Sequence, residues 1–256
     1  KLPPFAVEGM QSAKTKVVTS TELLDIESVP PTLAIVGAGV IGMEFASAFN
    51  TFGSKVDVYE FLPECLPAID KDIARRLRKS LEERGVKFHM KYSVGNVDDL
   101  GADVVLIATG RAANTDGLAL EKAGISYDRK GITVDDNMLT NVAGVYAVGD
   151  VNGRSMLAHA AEWQGRRAVN HIIGEHDDIR FDIMPSAIFT YPEAACVGPA
   201  ERELKEKGVE YAVHKSFYRA NGKALAIGET EGMMKIITDT SDRVISCHGY
   251  GAHAAD

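Results

Sequence analysis

The sequence predicts an α/β protein built on a doubly wound parallel sheet, and three observations carry that prediction. An apolar strand, Leu33 to Val36, runs into the spacing Gly37-x-Gly39-x-x-Gly42 and then into a helix. A second strand, Lys55 to Glu60, ends on an acid 18 residues beyond Gly42. Strand-like and helix-like segments then keep alternating as far as the continuous apolar run Ala102 to Ala108, which has the length and composition of a buried parallel strand.

The first thirty residues hold Pro3, Pro4, Pro30 and Pro31 around a short Thr21-Glu22-Leu23-Leu24 segment and are expected to form an extended connection into the first strand. In the turn that follows, each glycine has its own task. Gly37 permits the tight turn, Gly39 removes a side chain that would block a pyrophosphate, and Gly42 lets the helix lie close to the strand. The start of that helix offers amides to phosphate oxygens. A carboxylate at Glu60 would accept both ribose hydroxyls of an adenosine and repel a 2′-phosphate, which favours NAD over NADP. The plainer alternative is a closely packed strand-helix turn with no ligand.

From Asp70 to Arg84, Ile73, Leu77 and Leu81 recur at helical spacing among charged residues, and Gly85 ends that helix before a strand at Val86 to Met90. Beyond Thr109-Gly110-Arg111, strands are expected at Gly131 to Val134 and at Gly144 to Val148, the latter closing on Gly149-Asp150. A long helix should run from Ala158 to Ile173, stopped by Gly174. At Pro185 the chain changes to an α+β order. Ala187 to Thr190 should be extended, Glu201 to Lys207 helical, and Tyr211 to Phe217, Ala224 to Glu229 and Met233 to Thr238 should be three short strands. The domain boundary is placed near Met184.

With 256 residues, 45% of them hydrophobic, the chain has ample material for a core without disulfide staples. A net charge of −8 and the lack of a basic run argue against nucleic acid as a partner. No apolar stretch approaches the roughly 18 residues of a membrane span, and the Lys1-Leu2-Pro3-Pro4 start has no signal-peptide apolar region. A soluble cytoplasmic protein is therefore expected. Cys65, Cys196 and Cys247 stand far apart, without C-x-x-C spacing or a cysteine-histidine pattern, so neither a redox pair nor a metal site is expected among them.

Three signatures stand in one order: Gly37-Ala-Gly-Val-Ile-Gly42-Met-Glu44, Ala108-Thr-Gly-Arg111 and Gly144-Val-Tyr-Ala-Val-Gly-Asp150. Together they resemble the flavoprotein disulfide reductases, the pyridine nucleotide-disulfide oxidoreductase family. Within that family the dihydrolipoamide dehydrogenases are favoured by Met156-Leu-Ala-His-Ala-Ala161-Glu, Phe189-Thr-Tyr-Pro-Glu193, Ala220-Asn-Gly-Lys-Ala-Leu225 and Gly228-Glu-Thr-Glu-Gly232. The resemblance implies a Rossmann-type NAD domain (31–112) inserted in a partial FAD domain. A connecting segment (1–30) would precede it; the second part of the FAD domain (113–184) and a partial interface, or dimerisation, domain (185–256) would follow.

The resemblance also implies roles. Gly37, Gly39, Val40, Ile41, Gly42 and Glu60 would hold NAD, Glu44 would sit on the nicotinamide side, and Phe61 and Val94 would flank the adenine. Gly110 would let the cofactor pass close to the backbone, and Arg111 beside it is a further expected cofactor-binding residue. Gly149 and Asp150 would hold the ribityl hydroxyls of FAD, and Met156, Leu157, Ala158 and His159 would lie beneath the pyrimidine edge of the flavin, where negative charge develops on reduction. Plainer readings stay open: Glu44 as a solvated or capping acid, Asp150 as an N-cap, His159 as a structural histidine. No residue of this chain is assigned a catalytic role and none a metal.

The implied reaction of the parent protein is oxidation of dihydrolipoamide by NAD through a cysteine pair and FAD. Its implied partners are the lipoyl domain of a 2-oxo acid dehydrogenase or glycine cleavage complex and a second copy of itself. The redox cysteine pair, the first FAD glycine motif and the C-terminal histidine-glutamate motif of the family are absent here, so the chain alone is expected not to turn over lipoamide, and its FAD affinity is doubtful. The Gly95 to Gly101 link is shorter than the family's β-meander, and native sequence is expected to be missing around Leu100 and Gly101. Glutathione reductase, mercuric reductase, NADH oxidase and a non-catalytic NAD-binding or dimerisation protein are the competing readings.

Overall fold

The computed structural model describes residues 3–10 and 15–256; Lys1, Leu2 and residues 11–14 of the expected connection lie outside the described residues. In chain order the elements are α1 (Pro4–Gly9), β1 (Lys16–Val18), α2 (Ser20–Leu24), β2 (Thr32–Val36), α3 (Val40–Thr51), β3 (Lys55–Glu60), α4 (Lys71–Glu83), β4 (Lys87–Met90), β5 (Val104–Ile107) and α5 (Ala158–Ile173). Then follow β6 (Ser186–Ile188), β7 (Glu193–Val197), α6 (Glu201–Glu206), β8 (Ala212–Phe217), α7 (Gly222–Ile227), β9 (Gly232–Thr238) and β10 (Val244–Gly251). Two compact units result. One takes the chain up to Gly110 together with Pro185–Asp256, and the other takes Arg111–Met184.

In the first unit the strands β1-β5-β2-β3-β4 form an all-parallel sheet. The order reverses at β2, so β2 and β5 part company in connectivity where their carboxyl ends lie side by side, the place where such sheets form a crevice. One face is closed by α3 and α4, whose buried Met43, Ala46, Phe49, Ile73, Leu77 and Leu81 pack on Leu33, Ile35, Val56, Val58 and Leu106. The other face is closed by α1 and the 3-10 turn Val97–Leu100, which bury Ala34, Val36, Val105 and Ile107. Val17 of β1 and Tyr59 of β3 pack at the margins of that cover. On β3 and β4 the same face carries Asp57, Tyr59 and His89, with His89 paired to Asp57 at 2.7 Å and stacked on Tyr59.

Among the described residues before β2, the chain forms α1, β1 and α2 rather than a purely extended connection. Thr19 and Glu22 make a capping box that starts α2, and β1 pairs in parallel with β5 at the edge of the sheet.

The remaining 72 residues of this unit, Pro185–Asp256, build an antiparallel sheet ordered β6-β7-β10-β9-β8. Its Ile188, Ala194, Met233 and Tyr250 join the core beneath α4. Ala224 to Glu229, expected as a strand, is helical instead. Asn221 caps the Ala224 amide at 3.1 Å and Gly228 ends the helix in the left-handed region at φ 78°.

In the second unit α5 spans Ala158–Ile173 as expected, with Gly174 at φ 77° ending it. The strands expected at Gly131 to Val134 and Gly144 to Val148 reduce to single bridges, Ile132 with Tyr127 and Tyr146 with Leu139. An apolar run becomes a strand only when a neighbour offers a ladder of amides and carbonyls, and among the described residues no further neighbour does so. No helix among the described residues is long and apolar enough to cross a membrane.

Candidate functional site

The glycine turn between β2 and α3 is shaped by three different constraints. At Gly37 φ is 108°, and a Cβ there would fall 2.4 Å from the Ala108 carbonyl at the end of β5. At Gly42 a Cβ would meet the Gly37 carbonyl oxygen at 2.0 Å, so the first turn of α3 lies against the strand only because position 42 has no side chain. At Gly39 nothing lies within 4 Å of the Cβ position. Gly39 is the N-cap of α3, and no side chain caps it. Open space, an uncapped helix start and the crevice between β2 and β5 therefore coincide, with Val40 and Ile41 in the first turn.

Glu60 leaves the end of β3 and turns back to this loop. Its Oε2 accepts the Ala38 amide at 2.7 Å and its Oε1 accepts the Leu62 amide at 2.8 Å. An ionised carboxylate has about four acceptor positions, so two remain for further donors. The Ala38 carbonyl in turn accepts the Leu66 amide at 2.9 Å. Phe61 beside the acid is 73% exposed, whereas Val94 is buried in the core with Ala34, Val36 and Val105. Gly110, at φ 125°, is exposed beyond the end of β5 with open space around it.

On the side of α3 facing the antiparallel sheet, Glu44 Oε1 accepts the Phe189 amide at 2.9 Å and Ser47 Oγ accepts the Tyr191 amide at 2.9 Å. Glu44, half-buried, is thus tied to a backbone amide 145 residues away in sequence rather than capping its own helix. Ser47 carried no signal in the sequence, because a small polar residue on the buried face of a helix is indistinguishable from packing until its partner is known.

The second unit places its expected residues on a separate scaffold. Arg111 is exposed at its start, and Asp150 is exposed within a 3-10 turn, Gly149–Asn152, rather than at a strand end. Gln164 on α5 holds that turn, accepting from the Gly149 amide at 2.8 Å and from Asn152 Nδ2 at 2.7 Å. Met156 and Leu157 lead into α5, whose N-cap, Leu157, makes no side-chain cap, with Ala158 and His159 in the first turn.

The three cysteines are free. Burial pushes the Cys65 thiol far up and the Cys196 thiol up to about 11, and it raises Cys247 as well. No cluster of metal-ligating side chains exists among the described residues. A charged cluster the sequence did not reveal lies where α4 meets the second sheet. There Lys235, 1% exposed, donates to Asp70, Asp72 and Glu201.

Comparison with known proteins agrees with this architecture. Residues 2–165 match the family model of the pyridine nucleotide-disulphide oxidoreductases, and residues 184–256 match that family's dimerisation domain. Dihydrolipoyl dehydrogenase 2, mitochondrial, of Arabidopsis thaliana is 39% identical over 272 residues, covering 98% of this chain and 54% of the relative. Dihydrolipoyl dehydrogenase of Chlamydia muridarum is 37% identical, covering 94% of this chain and 55% of the relative. The first alignment is longer than the 256 residues of the chain, so that relative carries residues within the aligned span that this chain lacks. Among solved structures, LpdA from Mycobacterium tuberculosis superposes with a TM-score of 0.88 at 29% identity, covering 100% of this chain and 59% of that one. The HOCl-induced flavoprotein disulfide reductase RclA from Escherichia coli does so with 0.87 at 29% identity, covering 100% and 62%. The chain thus spans about half the length of the curated relatives it matches. With the glycine turn, the acid at the end of β3 and both family models in the expected order, this chain belongs to the pyridine nucleotide-disulphide oxidoreductases, a family of FAD- and NAD-dependent enzymes.

Proposed function

We propose that this chain is the NAD-binding and interface portion of a dihydrolipoyl dehydrogenase, and that residues Gly37 to Glu60 hold the nucleotide. The observation that carries the reading is the joining of Glu60 to the Ala38 amide, which places an acceptor for ribose hydroxyls beside an uncapped helix start suited to the pyrophosphate. The 39% identity to a mitochondrial dihydrolipoyl dehydrogenase supports the choice within the family. On this reading residues 31–112 form the NAD domain, 113–184 the second part of the FAD domain and 185–256 part of the homodimer interface, with 1–30 leading in.

The chain's residues would divide the work by chemistry. Gly39 gives the pyrophosphate room, and Val40 and Ile41 present amides at the start of α3. Glu60 selects the unphosphorylated adenosine ribose by accepting its hydroxyls and repelling a 2′-phosphate. Phe61 and Val94 flank the adenine. Glu44, held by Phe189, is positioned on the nicotinamide side, and Gly110 and Arg111 line the passage. Gly149, Asp150 and the start of α5, Met156 to His159, would receive the ribityl and pyrimidine parts of FAD, which supplies two-electron exchange between a dithiol and NAD when bound. The overall reaction proposed for the whole enzyme oxidises the two thiols of dihydrolipoamide to a disulfide and reduces NAD to NADH, releasing one proton. Cys65, Cys196 and Cys247, kept protonated by burial, are not its redox pair.

Titration of the purified chain with NADH and NADPH, followed by the coenzyme fluorescence, tests the reading. Saturable binding of NADH that exceeds NADPH is the expected result. Equal binding, or none, overturns it.

A further inference from the structure

The loop from Phe61 to Ile69 connects the acid at the end of β3 with α4, and it lies against the back of the glycine turn. Its Leu66 amide donates to the Ala38 carbonyl at 2.9 Å, so the Ala38 peptide is held from both sides, by Glu60 on its nitrogen and by Leu66 on its oxygen. Leu66 does this at φ 49°, a left-handed backbone that a leucine keeps only where its surroundings over-determine it. The loop is also bordered by a cleft of about 590 Å³, lined by Leu62, Cys65, Leu66, Asp70, Glu201 and Lys235. Its position therefore depends on anchors as well as on packing.

The anchor at its far end is Asp70. This residue caps α4 by accepting the Asp72 amide at 3.0 Å, and it is 2% exposed. A carboxylate buried to that degree needs a counter-charge, and the one it has comes from the other sheet: Lys235 Nζ on β9 donates to both of its oxygens, at 2.8 and 2.9 Å. The same ammonium reaches Glu201 at 2.5 Å and Asp72 at 3.2 Å. Its three donors are thereby spread over acids at the starts of α4 and α6.

We infer that Lys235 is a positioning residue for the nucleotide turn: by fixing Asp70 it keeps Leu66 in its strained register against Ala38. Lys235 thus sets the affinity of a glycine turn that it does not itself touch. The second half of this inference rests on the NAD reading above. The physical route is short and continuous, Lys235 to Asp70, along the loop to Leu66, and across one hydrogen bond to Ala38.

The test compares the chain with Lys235→Met, Lys235→Arg and, as a control, Lys215→Met. Lys215 binds only the outer acid, Asp72, at 2.6 Å, and it leaves the Asp70 contact in place. Two quantities are read on each: amide hydrogen exchange of residues 61–69 against that of β2, and the dissociation constant for NADH. In Lys235→Met the loop should exchange faster while β2 stays protected, and NADH should bind about fivefold more weakly. Lys215→Met should change neither. If Lys235→Met does not fold, Lys235→Arg carries the test. A planar guanidinium keeps the charge but cannot converge on three acids as an ammonium does, so the same two changes are expected at smaller size.

A folded variant with wild-type loop exchange, or with faster exchange and unchanged NADH affinity, overturns the inference. So does an equal effect from Lys215→Met. If the unmodified chain does not bind NADH, the functional reading fails, and loop exchange alone decides whether Lys235 anchors the turn.

Discussion

Glu60 Oε2 accepts the amide of Ala38 at 2.7 Å, so the acid at the end of β3 is a structural part of the glycine turn as well as its neighbour. Ligand selectivity and loop geometry are coupled in one side chain. Replacing Glu60 by Gln keeps the size but turns one acceptor into a donor, which cannot accept from both Ala38 and Leu62 and still serve two hydroxyls. Glu60→Gln is expected to weaken NADH binding about tenfold, the worth of one hydrogen bond to a charged group, and to narrow the gap to NADPH. Parallel fluorescence titrations with both coenzymes check this; an unchanged NADH constant would remove Glu60 from the ribose.

The glycines separate binding from folding. Gly39→Ser puts a good N-cap residue into open space, so the melting temperature should hold while NADH affinity drops. Gly42→Ala drives a methyl group against the Gly37 carbonyl and should cost about 2 kcal/mol of stability, by analogy with overpacked cores. Calorimetry paired with NADH titration distinguishes the two. A destabilised Gly39→Ser would mean that the apparent space is used by the protein itself.

Acid should loosen the junction between α6 and the second sheet. The Lys235 ammonium, assisted by Tyr211 and Lys205, outweighs partial burial and holds the Glu201 carboxyl down at about 2. Its folded value lies below the roughly 4.3 of an unfolded glutamate, so the stability it contributes is full above that value and is lost as pH falls toward 2. Denaturant unfolding at pH 6, 4 and 3 should show a steeper loss in the unmodified chain than in Glu201→Gln. Parallel curves would show that Glu201 does not report on the cluster.

The thiols should be inert. With Cys196 near 11, its thiolate fraction at pH 8 is about one in a thousand, and Cys65 is suppressed further. A disulfide reagent added to the native chain at pH 8 should leave Cys65 and Cys196 unmodified until denaturant is present. Rapid native modification of either would contradict their burial.

What the sequence disclosed was set by how local each signal is. The turn from Gly37 to Gly42, α4 with Ile73, Leu77 and Leu81 on one face, and the stop of α5 at Gly174 are each written within a few turns of chain. The capping box at Thr19 and Glu22 was equally local, yet it was overshadowed by the prolines around it. Ala224 to Glu229 was misread because a short apolar run fits either period, and its cap, Asn221, decides for helix. Lys235 could not have been placed from sequence, since its lysine sits in a strand like any solvated one and its acids are 34 to 165 residues away. Glu44 and Phe189 are a similar case. Asp150 was expected at a strand end, but strand formation depends on neighbours that no local pattern supplies.

The joining of Asp70 to Lys235 across 165 residues also bears on how the chain reaches its folded state. The parallel sheet is complete by Ile107, whereas β9 comes after the whole of Arg111–Met184. Closing so long a loop costs entropy before any contact repays it, so docking of the antiparallel sheet on α4 belongs late in folding. Contacts made after the rate-limiting step govern how fast a protein comes apart more than how fast it assembles. The ion cluster at Lys235 therefore acts as a latch on lifetime: its removal should shorten the persistence of the native state while leaving the refolding rate nearly untouched.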